Sequence, residues 1–186
     1  EVPKSAEGLE DTEAKKVEAV ELDVSDSRGG SHNLVIGDQH EYTSFGGIVT
    51  GQWNGIYDKY SAVVGGERNK AYGPYSTVTG GSTNRASGIS STVTGGYGNT
   101  ASGDWSSISG GYDNTATAHS SSISGGRDNT ASGKHSSVLG GMVNDAQGEA
   151  AVVTGGLNNK AIGDRATVVG GKKNRARRNF SVVTGA

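Results

Sequence analysis

The groups in this sequence that could do acid–base or metal chemistry are its histidines and carboxylates. The four histidines are His32, His40, His119 and His135, and none has a histidine or glutamate four residues on, the spacing of a common helical zinc site. There is no cysteine, which excludes disulfides, thiolate metal sites and a cysteine nucleophile. We therefore expect no catalytic set, no metal site and no cofactor, and we do not expect an enzyme.

Four other side chains are candidates for holding a partner. Tyr97, Tyr112 and Arg127 occupy the same position in three successive units of a sequence repeat, and Trp105 belongs to a neighbouring row of the same pattern. Exposed aromatic rings beside polar groups are typical of surfaces that bind a glycan or a protein. The sequence therefore predicts a receptor surface at these four residues, with tolerated variation on a solvated ridge as the alternative.

Charge is distributed unevenly along the chain, whose formal net charge is −2. Residues 1–30 are acidic, with a net charge of −5, whereas Lys172, Lys173, Arg175, Arg177 and Arg178 form a basic run. Such a run can bind an anionic glycan or nucleic acid, or it can simply belong to solvated loops. We expect the solvated loops and no nucleic-acid partner.

Composition limits the kind of core that the chain can build. The 186 residues include 32 glycines, and Leu, Ile, Val and Phe together also number 32. So few large apolar residues exclude a helical bundle and a doubly wound α/β enzyme. No apolar run approaches the roughly 18 residues of a membrane-spanning helix.

A 15-residue repeat organises most of the chain. Residues 52–186 make nine units of 15 residues with the pattern G-G-x-x-N-x-A-x-G-x-x-S-x-V-x, in which the double glycine recurs eight times, and related strands precede them. We expect the repeated asparagine to point inward and to form a structural ladder. These asparagines are Asn54, Asn69, Asn84, Asn99, Asn114, Asn129, Asn144, Asn159 and Asn174.

The repeat unit predicts two strands and two turns. Residues alternate with period two around its alanine and around its valine, which indicates β-strands, and the glycines supply the backbone angles of the turns. A unit this short cannot bury a face alone, so successive units must stack. The sequence therefore predicts an all-β parallel β-roll, or β-solenoid, of about eleven coils that rise about 4.8 Å each.

The residues beside each interior valine form an outward strip that carries no Lys, Arg, Asp or Glu. We predict that this strip is the interface of a homotrimer. A flat ice-binding face, built from Thr-x-Thr rows, is the alternative. The predicted interface residues are Val49, Ala62, Val64, Thr77, Thr79, Thr92, Thr94, Ser107, Ser109, Ser122, Ser124, Leu139, Val152, Thr154, Thr167 and Val169.

The unit N-x-A-x-G-x-x-S-x-V-x-G-G resembles the S-x-A-x-G-x-x-S-V-A-I-G repeat of the YadA-like heads of trimeric autotransporter adhesins. The resemblance covers residues 33–186 and implies a left-handed parallel β-roll assembled as a trimer. The stretch Ser76-Thr77-Val78-Thr79-Gly80 matches S-V-A-I-G, so Thr77 and Thr79 fall where that family packs its trimer. The unit here is longer by one residue, its interior residue is Val or Ile instead of Ala, and its interface positions are more polar.

Three regions are expected. Residues 1–30 are a polar stalk connection or linker, residues 31–60 are an N-terminal aromatic cap with the first coils, and residues 61–186 are the repeat roll, cut short at its C-terminus. We interpret the chain as a fragment of a longer protein, which would meet a membrane only through its missing parts.

These features together predict a structural and adhesive head module of a trimeric fibre. The resemblance implies an extracellular place on a bacterial cell surface. The partners expected are further copies of the chain and a host, prey or other cell-surface protein or glycan. Two alternatives are an ice-binding solenoid and a segment of a phage tail-fibre-like appendage.

Overall fold

Two short β-strands recur in every repeat, and tight turns join them. In the computed structural model, which describes residues 30–185, the strands stack in register into a parallel β-solenoid, with no helix among those residues. The predicted all-β solenoid is thus confirmed. It has ten complete turns and one further strand, close to the eleven coils predicted.

The strands form two parallel sheets, one of eleven strands and one of ten. We call the first the valine sheet and the second the alanine sheet, after their usual interior residues. The valine sheet contains β1 (Leu34–Asp38), β3 (Ile48–Gln52), β5 (Ala62–Val63), β7 (Thr77–Val78), β9 (Thr92–Val93), β11 (Ser107–Ile108), β13 (Ser122–Ile123), β15 (Ser137–Val138), β17 (Val152–Val153), β19 (Thr167–Val168) and β21 (Val182–Val183). The alanine sheet contains β2 (Glu41–Tyr42), β4 (Gly55–Ile56), β6 (Lys70–Ala71), β8 (Arg85–Ala86), β10 (Thr100–Ala101), β12 (Thr115–Ala116), β14 (Thr130–Ala131), β16 (Asp145–Ala146), β18 (Lys160–Ala161) and β20 (Arg175–Ala176).

The core consists of small side chains between the two sheets, one from each sheet in every coil. Val78 and Ala71 are typical, and both are fully buried. Larger residues replace the alanine only at the N-terminal end, where Tyr42 and Ile56 are buried in the alanine sheet. Because each coil buries one branched side chain and one methyl group, a chain poor in large apolar residues still fills its interior.

The repeated asparagines line one edge of the interior and connect successive coils. The Nδ2 of Asn99 donates to the carbonyl oxygens of Gly95 and Gly111, each at 3.0 Å. In the first coil His40 takes this position: its Nδ1 accepts the backbone N–H of Asn54 at 3.3 Å, and its Nε2 lies 3.1 Å from the carbonyl oxygen of Ile36. The ladder therefore satisfies buried backbone groups that the strands leave unpaired.

The first coils are one residue shorter than the others, which corrects one predicted interface residue. Val35 pairs with Val49 and Val49 with Val63, so these partners are closer in sequence than Val63 and Val78 in the next pair of coils. Val49 is therefore an interior residue with no exposed surface, and the outward residues of its strand are Ile48 and Thr50. The phase of the longer repeat places Val49 outside because a shift of one residue moves a strand side chain to the opposite face.

The turns use the left-handed backbone region more often than the glycines predict. Gly96 shows the expected case, with a φ of +85°. However, nineteen non-glycine residues also have positive φ among the described residues, all between +50° and +62°. Tyr75 and Arg68 are two of them, one in each kind of turn. The architecture thus demands this conformation in both turns, although it is less favourable for residues other than glycine and asparagine.

Candidate interaction surfaces

The valine sheet has an outer face without charge. We call the two rows of residues directly before and after each interior Val or Ile the charge-free face; their side chains contain no ionisable group in any of the eleven strands. Several large apolar side chains lie exposed on it, and Val64 and Leu139 are each 50% exposed. The other large exposed members are Ile36, Ile48, Val169 and Val182.

The alanine sheet provides an internal comparison, because its outer face carries charge at both ends of the solenoid. Lys70 lies 3.5 Å from Glu41 across the sheet, and Lys160 lies 3.3 Å from Asp145. Arg85 pairs in register with Lys70 on the next strand of this sheet and is exposed. From β5 onward the strands of both sheets have two residues and stack in the same way, so the lack of charge on one face is not a consequence of the fold.

The charge-free face changes character along the solenoid. Its first coils and its last coils carry the large apolar side chains, whereas the coils from Thr77 to Ser124 carry only Thr and Ser. Some of these hydroxyl groups bond within the face, as Ser122 does to Ser137 at 3.1 Å. Apart from Val49, every residue predicted for the trimer interface lies on this face.

Two of the residues predicted for receptor binding form a stack. The rings of Tyr97 and Tyr112 are parallel within 10°, with centroids 5.2 Å apart, and the guanidinium of Arg127 lies 5.4 Å from the Tyr112 ring centre. The Tyr97 ring covers one face of Tyr112 and the Arg127 guanidinium covers the other. Tyr112 therefore presents its edge and hydroxyl to solvent instead of its ring faces. The stack thus offers little flat aromatic surface to a sugar ring.

Trp105 does not join that stack. Within a coil it lies in the turn that leads from the alanine sheet to the valine sheet, whereas Tyr97 lies in the turn that leads back, at the opposite edge. Its indole is 55% exposed, contacts His119 with ring centroids 4.7 Å apart, and is flanked in its row by Ser90 and Ser120. The four predicted residues therefore form two separate surfaces.

The aromatic residues near the N-terminal end have different environments. Tyr42 is buried in the first turn, whereas Phe45, Trp53 and Tyr60 are each almost half exposed. Phe45 lies 6.0 Å from Tyr60 between ring centroids, in a row along one edge of the solenoid that His32 begins. Of these four aromatic residues only Tyr42 is buried, and the other three lie on the surface.

A cleft of about 380 Å³ opens beside the first turn, lined by His40, Glu41, Tyr42, Thr43 and Tyr57. The Tyr57 hydroxyl donates to the Glu41 carboxylate, and this bond, with the nearby ammonium of Lys70, lowers the pKa of Glu41. Partial burial and the Glu41 carboxylate together raise the pKa of Tyr57 well above its ordinary value. Both groups therefore keep their usual ionisation at neutral pH.

Within residues 30–185, no group of three or more His, Cys, Asp or Glu side chains is placed to hold a metal ion. The same residues include no helix that is long and apolar enough to cross a membrane. No protein-family model matches the chain, and no curated protein matches it in sequence.

Proposed function

We propose that this solenoid is a structural and adhesive module of a trimeric fibre on a bacterial cell surface, with the charge-free face as the contact between copies. The observation that carries the proposal is the exposure of Val64, Leu139 and Val169 on a face without one charge, while the opposite sheet is charged. A solvated surface normally intersperses charge, whereas the centre of an interface is depleted of it.

The resemblance to YadA-like heads supports the same assembly. It supplies the left-handed β-roll, the trimer and the extracellular setting, and it places the trimer contact on the strand that here forms the charge-free face. Three such faces around one axis would bury the large apolar residues at both ends of the roll and leave the turns outward. Trp105, exposed in one of these turns, is then available to an external partner.

The mass of the chain in solution tests the assembly. Light scattering should give three times the chain mass of 18.9 kDa. The double substitution Val64→Lys and Leu139→Lys should release monomers, because lysines at the face would meet one another across the axis. The matched control, Thr115→Lys with Thr130→Lys on the outer face of the alanine sheet, should remain trimeric. A monomeric unmodified chain, or dissociation of the control as well, would contradict the proposal.

One observation favours a second candidate, an ice-binding face. Thr77, Thr79, Thr92 and Thr94 form two successive Thr-x-Thr rows on a flat part of the charge-free face. An ice-binding protein would use this face as a monomer, so mass separates the two functions. Thermal hysteresis of the purified chain, abolished by Thr79→Lys, would support this candidate and count against the fibre.

A further inference from the structure

Five cations gather on the last described coil. Lys172, Lys173, Arg175, Arg177 and Arg178, which we call the basic band, are all exposed. Lys172 and Lys173 lie in the turn before the last strand of the alanine sheet, and Arg178 lies in the turn after it. The band therefore crosses the full width of the solenoid.

The strand between these turns directs two guanidinium groups to the same side. Ala176 points inward and is 1% exposed, so Arg175 and Arg177 on either side of it both point outward. Side chains two residues apart on a strand are about 6.6 Å apart along the chain, and Lys173 continues the row at the turn. The result is a line of cations across a flat face, and two of them carry the forked donors that pair with carboxylate or sulfate.

Among residues 30–185 the basic band has no counter-charge of its own, unlike several cations elsewhere in the solenoid. Lys70 and Lys160 have carboxylates within 3.5 Å, and Arg127 lies 3.1 Å from Asp128. Within the described residues no ion pair involves a member of the band. The one carboxylate in residues 160–185, that of Asp164, accepts the backbone N–H of Glu149 at 3.1 Å. Five uncompensated cations repel one another, and a bound polyanion would relieve this repulsion.

We propose that the basic band binds an acidic polysaccharide, whose sulfate or carboxylate groups pair with Arg175 and Arg177. Two observations favour a polysaccharide over nucleic acid. The chain as a whole is slightly acidic, with a pI near 6.1, and residues 31–186 carry a net charge of only +3, whereas nucleic-acid-binding domains commonly have a pI above about 9. The aromatic ring beside the band, Phe180, is faced by the guanidinium of Arg165 at 5.3 Å, so that face is not open to a stacking base.

The choice of a polysaccharide as the ligand rests on the proposed function, since a fibre on a cell surface meets glycans first. The binding itself does not require a trimer. A monomeric chain that binds would overturn the fibre and leave this inference intact. A trimer that does not bind the polysaccharide would overturn this inference and leave the proposed fibre intact.

The test is binding of the full chain to immobilised heparin, a sulfated polysaccharide, at several salt concentrations. The variant Arg175→Thr with Arg177→Ser uses residues that other coils already have in the same columns, at Thr130 and Ser132, so it should fold. We expect it to bind about tenfold more weakly and with a smaller salt dependence. The matched control Lys70→Thr with Arg85→Thr removes the same charge from the same sheet and should bind as the unmodified chain does.

Three outcomes would overturn the inference. The first is equal binding by the band variant and the unmodified chain, and the second is an equal loss in the control, which would indicate an effect of net charge alone. The third concerns the occupant. Displacement of heparin by duplex DNA at equal charge concentration would assign the band to nucleic acid, and displacement by a peptide of residues 1–29 would assign it to the chain's own acidic segment.

Discussion

The side-chain Oδ1 of Asn99 accepts the backbone N–H of Asn114 at 3.0 Å. The equivalent bond connects each pair of successive ladder asparagines from Asn54 to Asn174, at 2.7–3.0 Å. Each carboxamide therefore bonds its own turn and the next one, and the coils are held in register by side chains as well as by the sheets.

Replacing Asn99 by alanine should destabilise the solenoid by roughly 3 kcal/mol, because the N–H of Asn114 and the carbonyl of Gly95 would lose their partner in a buried site, and the carbonyl of Gly111 would keep only the N–H of Tyr97. Asn174 is a matched control, since it occupies the same phase but donates only to Gly170 among the described residues and is only partly buried. Asn174→Ala should cost less than about 1 kcal/mol. Urea unfolding followed by circular dichroism measures both, and equal costs would contradict the ladder's role.

The two glycines of each pair should differ in their tolerance of alanine. Gly96 has a φ of +85°, and a Cβ there would overlap the carbonyl oxygen of Gly111 in the next coil. A Cβ on Gly95 would meet nothing within 4 Å. We expect Gly96→Ala to lower the free energy of unfolding by at least about 2 kcal/mol and Gly95→Ala to change it little. Similar unfolding midpoints for the two variants would show that this steric account is wrong.

The inward serines fall into two groups with opposite expected responses. The Oγ of Ser121 donates to the carbonyl oxygen of Ala118 at 2.7 Å, whereas the buried Oγ of Ser91 has no hydrogen-bond partner. Ser121→Ala should therefore destabilise by about 1 kcal/mol, and Ser91→Ala should be neutral or stabilising. Ala151 and Ala166 already occupy this position in two coils. Thermal unfolding of the two single variants measures both effects. A larger loss of stability for Ser91→Ala than for Ser121→Ala would refute this prediction.

The Glu41 carboxylate should titrate below an ordinary glutamate because Tyr57 donates to it and Lys70 lies beside it. A lowered pKa in the folded state contributes stability that is present above the ordinary glutamate pKa and lost as pH falls through the folded value. The contribution is small, because the Glu41 side chain is largely exposed. Tyr57→Phe should raise the pKa of Glu41, which a carbon-detected NMR titration measures. An unchanged Glu41 titration in that variant would place the cause elsewhere.

Repeat phase alone is enough to predict the solenoid and the inward side of most strands. Once Val78 and Asn84 recur in every repeat unit, equal phases must become neighbours in space, and alternation assigns each residue to the inside or the outside. The charge-free face can be recognised in the same way, as a property of two phases. These inferences need no knowledge of side-chain contacts.

Repeat phase does not predict the position of a side chain where the repeat spacing changes or where side-chain contacts determine that position. It misplaces Val49 because the coils around that residue are one residue shorter, and Thr50-Gly51 follows this valine where the regular units have a double glycine. It does not reveal His40 in place of an asparagine, because that role depends on ring geometry. The stacking of Tyr97 on Tyr112 follows from side-chain torsions, and the position of Trp105 at the other edge requires knowing that the two turns lie on opposite sides of the roll.

In the regular part of the solenoid, each coil contacts its neighbours through the same register, Val78 on Val93 and Ala71 on Ala86. Inserting one complete unit of repeats would therefore lengthen the rod by about 4.8 Å without altering its cross-section. The number of repeat units therefore sets the length of the rod and the distance between its two ends. Because the surface columns run parallel to that rod, the same insertion also lengthens every row of exposed side chains by one member.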